Sequence, residues 1–213
     1  MNRTDKTTII SQALLLTAII MQSFCACSDN DNALPAYTTC LVEANANANS
    51  IISSIRTDDG TIYSIDNVIS ANKADTTYRC LATYVPTATG IQVYSLKAIY
   101  SAHPLPASEF RSLPHDPVKF ISAWRTDRYI NLRISLLTTG LGNHAFAFCA
   151  DSIGSSATNK QTAYISLMHQ RPPEDAESYS EEQFLSIPRA GYQSCDSFTI
   201  TIHTYDGDIT IEK

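Results

Sequence analysis

Ile130-Asn131-Leu132-Arg133-Ile134-Ser135-Leu136 alternates apolar and polar residues without a break. Successive side chains on a pleated chain point to opposite faces, so period two marks a strand with one side buried. An amphipathic helix would need its apolar residues three and four apart, and these are two apart. The same texture extends outward in both directions. Upstream, Val118 to Trp124 reads as a strand joined to Tyr129–Leu137 by the charged turn Arg125-Thr126-Asp127-Arg128. Downstream, His144 to Ala150 and Thr162 to His169 read as two more, and Phe198, Ile200 and Ile202 alternate with threonines. Asp206-Gly207 then turns the chain into Ile209 to Ile211, as Asp-Gly does at hairpins. Short strands with polar turns predict an antiparallel β-sandwich over residues 118–213. Two local expectations accompany it. Trp124 shares its parity with Val118 and Phe120, which places it in the core. Ser180-Glu181-Glu182-Gln183 fits a capping box for one helical turn, closing the acidic loop Arg171 to Glu182 and leaving Leu185 to Ile187 to pair only briefly.

Residues 37–101 are also β-rich. Tyr37 to Asn47 reads as a strand. Ser50 to Arg56 and Thr61 to Ile65 flank the turn Thr57-Asp58-Asp59-Gly60, and Thr77 to Val85 and Ile91 to Tyr100 flank Pro86 to Gly90. About five strands without a helix predict a small barrel. Between the halves, Pro104, Pro106, Pro114 and Pro117 are four of the chain's nine prolines. Proline removes a backbone donor and fixes φ, so residues 102–117 read as a linker between two domains.

The N-terminus sets the compartment. Arg3 and Lys6 precede the largely apolar run Ile9 to Phe24, which is shorter than the roughly 20 residues a spanning helix needs and suits a signal peptide. Residues 1–26 are read as a lipoprotein signal peptide, with Cys27 as the lipidated residue. Ala26 before Cys27 is small, whereas Phe24 before Cys25 is bulky. Residues 27–36 then form a flexible acidic spacer. The expected location is extracytoplasmic, on the outer membrane and exposed at its surface, with the membrane itself as a partner through the lipid. Two or more acyl chains would anchor the chain stably where one is marginal. A net charge of −6 and the lack of any Lys/Arg cluster exclude a nucleic-acid partner, since phosphate binding needs concentrated basic charge. Four other cysteines remain, Cys40, Cys80, Cys149 and Cys195. An oxidising envelope permits disulfides, and the domain split suggests Cys40–Cys80 and Cys149–Cys195. Buried free thiols are the equally weighted alternative.

In its order of pieces the chain resembles the NigD-like lipoprotein family. The matching phrases are Asp59-Gly60-Thr61, Asp116-Pro117-Val118-Lys119, Trp124-Arg125-Thr126-Asp127-Arg128-Tyr129-Ile130-Asn131-Leu132, His144-Ala145-Phe146, Leu185-Ser186-Ile187-Pro188 and Thr204-Tyr205-Asp206-Gly207. The resemblance implies an OB-type barrel followed by a β-sandwich. The family's name, from a bacteriocin-associated locus, implies immunity or envelope binding. It implies no catalytic residue.

Motifs for chemistry are sparse. There is no nucleophile elbow, paired-histidine helix or phosphate loop, so no catalytic residue, cofactor or metal is assigned. His144, His169 and His203 could meet as a metal site, but dispersed histidines more commonly serve as hydrogen-bonded residues. Asp206-Gly207-Asp208 resembles a fragment of a calcium loop, yet a hairpin turn explains it without a cation. The expectation is a non-catalytic binding module for a secreted peptide or protein, with a glycan-binding accessory role as the alternative.

Overall fold

The computed structural model describes residues 36–155 and 160–213. The expected signal peptide, Cys27 and nearly all of the spacer lie outside them. Five strands build the first body: β1 (Thr38–Ala46), β2 (Ile52–Thr57), β3 (Ile62–Ser64), β4 (Thr77–Pro86) and β5 (Ile91–Ala98). Their order in the sheet is β3-β2-β1-β4-β5. The ends meet where Ile65 bridges Ile91 in parallel and Asp66 donates its N–H to the Ile91 carbonyl. Asn67 completes the closure, accepting from Val93 N–H and donating to Val93 O. Closure joins the end of β3 to the start of β5, and it requires Gly90, where an added Cβ would lie 2.3 Å from the Ser64 carbonyl oxygen. Val42, Ala44, Ile55, Ala82 and Ile91 fill the interior.

The second body is a sandwich. One sheet runs β14-β13-β11-β10-β7, from Gly207–Glu212, Ser197–Thr204, Gln161–Gln170, Ala145–Ser155 and Leu105–Pro106 respectively. The other runs β6-β12-β9-β8, from Tyr100–Ser101, Tyr179–Pro188, Tyr129–Thr138 and Lys119–Arg125. The chain is therefore all-β, an OB-like barrel followed by a sandwich. Ile130, Leu132, Ile134 and Leu136 all reach the core between the sheets, with Phe148, Ile165, Phe198 and Ile200 opposite them. Most pairings are antiparallel, but β11–β13, β10–β7 and β12–β6 are parallel. The proline-rich stretch is more than a linker. Leu105–Pro106 runs beside β10 as an edge strand, where a missing donor costs least.

Two local expectations fail for identifiable reasons. A bulge at Ile121 separates the pairs Phe120↔Ile134 and Ser122↔Arg133, and one extra residue flips every later side chain to the other face. Phe120 and Ala123 therefore pack on the core, while Trp124 points out of it. Ser180 to Gln183 forms no helical turn. It belongs to β12, which pairs with β9 over its whole length from Tyr179↔Thr138 to Pro188↔Tyr129. Glu182 lies against Arg133, Oε2 to Nη2 2.6 Å, so cross-strand pairing supplies what the local capping pattern would have offered.

Barrel and sandwich meet through faces that alternation leaves polar. Glu43↔Arg79 and Leu41↔Leu81 are cross-strand pairs on the outer face of the barrel. Trp124↔Asn131 and Asn131↔Ser186 are pairs on the outer face of the β6-β12-β9-β8 sheet. Arg79 links the two. It pairs with Asp58 (Nη1–Oδ1 2.6 Å), donates to Asn131 Oδ1 (3.1 Å) and Ser186 Oγ (3.2 Å), and covers the Tyr129 ring at 4.0 Å. Glu43 accepts from Tyr129 Oη (2.6 Å) and pairs with Arg128 (2.7 Å). Burial, and then this bond to Glu43, push the Tyr129 phenol up to about 12, so it stays a donor at neutral pH.

Two stability outcomes follow from these contacts. Arg79→Ala leaves the Asp58 carboxylate without its counter-charge and lowers the unfolding free energy in urea by about 3 kcal/mol, the low end for a broken buried pair, because Asp58 keeps some water. Gly90→Ala costs about 1–3 kcal/mol by overpacking the closure, and amide exchange shows the loss at Ile65 to Asn67 first.

Candidate functional site

The sequence offers Cys40 with Cys80, and Cys149 with Cys195, as disulfide partners. All four are free thiols in the structure. Cys40 pairs with Ala82 and Cys80 with Val42, so the two lie on one face but two residues out of register. Diagonal neighbours have Cα atoms roughly 7–8 Å apart, beyond the usual disulfide range. Cys195, in the turn before β13, belongs to the sandwich core, whereas Cys149 follows Phe148 on β10 and lies on the other face of that strand. Burial raises the Cys40 thiol and pushes Cys80 up to about 11. Neither supplies a thiolate at neutral pH.

The histidines divide differently from expectation. His144 and His169 meet, Nδ1 to Nε2 2.8 Å, with rings stacked 13° apart. His203 is elsewhere, bound to Asp208 Oδ1 at 2.6 Å across the β13–β14 hairpin, which leaves Asp206-Gly207-Asp208 as a turn. Among the described residues no group of three His, Cys, Asp or Glu is placed to hold a metal. Asp175, read from sequence as part of a solvated loop, instead closes the histidine pair: its Oδ2 lies 2.8 Å from His144 Nε2. Burial alone would raise its carboxyl, but bonds from Thr139, Thr138 and His144 outweigh that and hold it well below the usual carboxylate range. At the other end His169 Nδ1 meets the Asp116 carbonyl at 2.9 Å. A carbonyl only accepts, so Nδ1 carries the proton, and Asp175 likewise accepts from Nε2 of His144. The chain ends in backbone, sealed by Phe146 stacked on His169 at 5.0 Å. It fastens loop 171–178 to the sandwich and offers no base to a substrate.

A cleft of about 640 Å³ opens where the barrel mouth meets the sandwich. Its walls come from four places. The first is Thr38 to Leu41 of β1, and the second is the turn Thr57 to Asp59. Tyr63 and Tyr84 form the barrel side, rings 5.7 Å apart. Trp124 and Phe184 form the sandwich side, edge to face at 6.4 Å. The bulge at Ile121 is what aims Trp124 here. Asp59 sits at the rim, exposed; bonds from Thr57 Oγ1 (2.6 Å) and Thr61 N–H (2.9 Å) lower its carboxyl, so it stays anionic. Tyr84 is raised, chiefly by burial. The cleft therefore has aromatic walls, one open carboxylate and no ionised nucleophile. A bulge visible only through pairing hid Trp124, and the Asp58-Asp59-Gly60 turn read as a turn alone.

Comparison with solved structures places this architecture. The chain is similar to a NigD-like immunity protein from Bacteroides caccae, with a TM-score of 0.64 at 24% identity over 85% of this chain and 93% of that one. It is similar to a protein of unknown function from Bacteroides vulgatus, with a TM-score of 0.63 at 11% identity over 84% and 90%. A protein described as a candidate lipoprotein from Bacteroides fragilis matches with a TM-score of 0.58 at 14% identity over 84% and 96%. These likenesses show a shared fold, the one the NigD-like resemblance implied. No protein-family model and no curated protein sequence matches the chain.

The histidine chain generates a pH signature. Burial, foremost, lowers the affinity of His169 for a proton below the ordinary value of 6.5, and His144 adds to this, against the opposing pull of the Asp116 carbonyl. The unfolded chain binds that proton more readily, so stability is full above about pH 6.5 and falls as pH drops below it. Asp175, lowered in the fold, adds a further loss below its ordinary value of 3.8. Thermal melts from pH 8 down to pH 5 show this fall in the native chain, and a flatter profile in His169→Gln.

Proposed function

We propose that this chain is a lipid-anchored cell-envelope protein that binds rather than catalyses, and that its ligand, a secreted peptide or protein, enters the cleft between barrel and sandwich. The cleft carries the reading. Convergent aromatic walls with a single carboxylate at the rim suit capture of apolar side chains beside a basic one. Cys40 and Tyr84 stay protonated there, and the histidine chain ends in a carbonyl, so the groups that could act as nucleophile or base are held inactive. The anchor rests on the sequence before and after Cys27, and the fold shared with a candidate lipoprotein supports it. The immunity reading is supported by the fold shared with a NigD-like immunity protein.

A glycan-binding role has one observation in its favour. Tyr37 and Tyr94 are both exposed and in contact, centroids 5.0 Å apart. Their planes cross at 76°, however, so they offer a sugar an edge and a face rather than one flat platform. The peptide reading has the better-formed site.

Trp124 is the chain's one tryptophan, which makes its fluorescence a reporter of the cleft. Titration with short basic-apolar peptides shifts its emission saturably, and oligosaccharide fragments leave it unchanged. Asp59→Asn weakens peptide binding roughly twofold to fivefold, as for an exposed ion pair, and the effect fades at high salt. A saturable response to oligosaccharides alone would replace this reading with the glycan one.

A further inference from the structure

The cleft is bordered by a stretch of backbone that has lost its neighbour. β1 pairs with β4 from Thr38↔Tyr84 onward, but with β2 only from Val42↔Thr57. Before Val42, β2 has already turned away through Asp58-Asp59-Gly60. Thr38 to Leu41 thus presents one open side, and no strand among the described residues pairs with it there. Four residues of strand amount to about 13 Å of edge.

Hydrogen bonding in the neighbouring strands shows which groups face the gap. Thr57 donates its N–H to Thr61 and accepts from Gly60 through its carbonyl, so both its backbone groups point toward β3. Its partner Val42 therefore bonds toward β4, in agreement with Ala46 N–H reaching Thr76 O on that side. Alternation then turns the N–H groups of Thr39 and Leu41 toward the open side. Both flanks of this edge are apolar. Cys40, Tyr63 and Tyr84 lie on the barrel side, and Leu41, Trp124 and Phe184 on the sandwich side. An extended segment places successive side chains on opposite faces, and here each face has an aromatic wall to receive them. Asp59 stands at the end where β2 leaves the sheet.

We propose that the ligand of this site is an extended peptide that adds to the open edge of β1 as an antiparallel strand in the line that β2 vacates. It buries one apolar side chain against Tyr63 and Tyr84 and the next against Trp124 and Phe184, and it sets a basic side chain at Asp59. Strand addition of this kind takes affinity from main-chain bonds and selectivity from pockets for alternate side chains. The inference rests on the cleft being the binding site and adds how the ligand is held.

The test uses the full chain and a library of short synthetic peptides of the pattern basic-apolar-apolar, with Trp124 emission as the readout. The tightest binder is then resynthesised in two forms, N-methylated on one alternate set of amides or on the other. A paired strand bonds through one set only, so one form binds roughly tenfold more weakly or worse while the other is little changed. Hydrogen exchange of the saturated complex shows new protection at Thr39 and Leu41. Equal affinities of the two methylated forms, without that protection, would overturn strand addition and leave cleft binding standing. Absence of any saturable response across the library overturns both. A second copy of this chain as the occupant would appear as mass that rises with concentration, and would also overturn it.

Discussion

Arg79 is the point on which the two bodies of this protein depend. Its guanidinium carries a full charge into a face that is almost dry, which is tolerable only with a counter-charge and acceptors beside it. Asp58, Asn131, Ser186 and the Tyr129 ring meet those demands, and they come from both bodies: Asp58 from the turn after β2, the rest from β9 and β12. Neither body satisfies Arg79 alone. Buried pairs of this sort add little net stability compared with an apolar face but penalise every misaligned docking. Here that selectivity sets the angle at which the barrel mouth faces Trp124 and Phe184.

The cleft is a by-product of the same docking. Asp58 is held inward by Arg79, which leaves the next residue, Asp59, directed to solvent at the rim. Leu41 and Leu81, a cross-strand pair on the same outer face, line the cleft where the two bodies diverge. Because β2 ends at Thr57 while β1 starts at Thr38, the divergence exposes backbone as well as apolar side chains. A polar node that holds geometry thus stands beside an unfinished sheet edge.

Much of the architecture could be read from alternation. The run Ile130 to Leu136, the threonine-spaced Phe198 to Ile202 and the Asp-Gly turns all led to strands and hairpins where the structure has them, because period two is a local property of a half-buried strand. Errors arose where one residue decided the outcome. The bulge at Ile121 moved Trp124 from core to cleft wall. Ser180 to Gln183 carried a helix-start pattern, and pairing with β9 overrode it. His144 and His169 were candidates for a site, but Asp175, which gives them their role, lay in a run that read as a charged loop.

By itself, the sequence determined that this chain is all-β and that its two halves differ in texture around a proline-rich join. Those properties are written in neighbouring residues. Only the tertiary structure decided which polar face would be buried, where β2 would abandon β1, and which aromatics would line the gap. The physical reason is that alternation states which side chains share a face. It does not state what will cover that face, because register, bulges and docking are set by residues far apart in the chain.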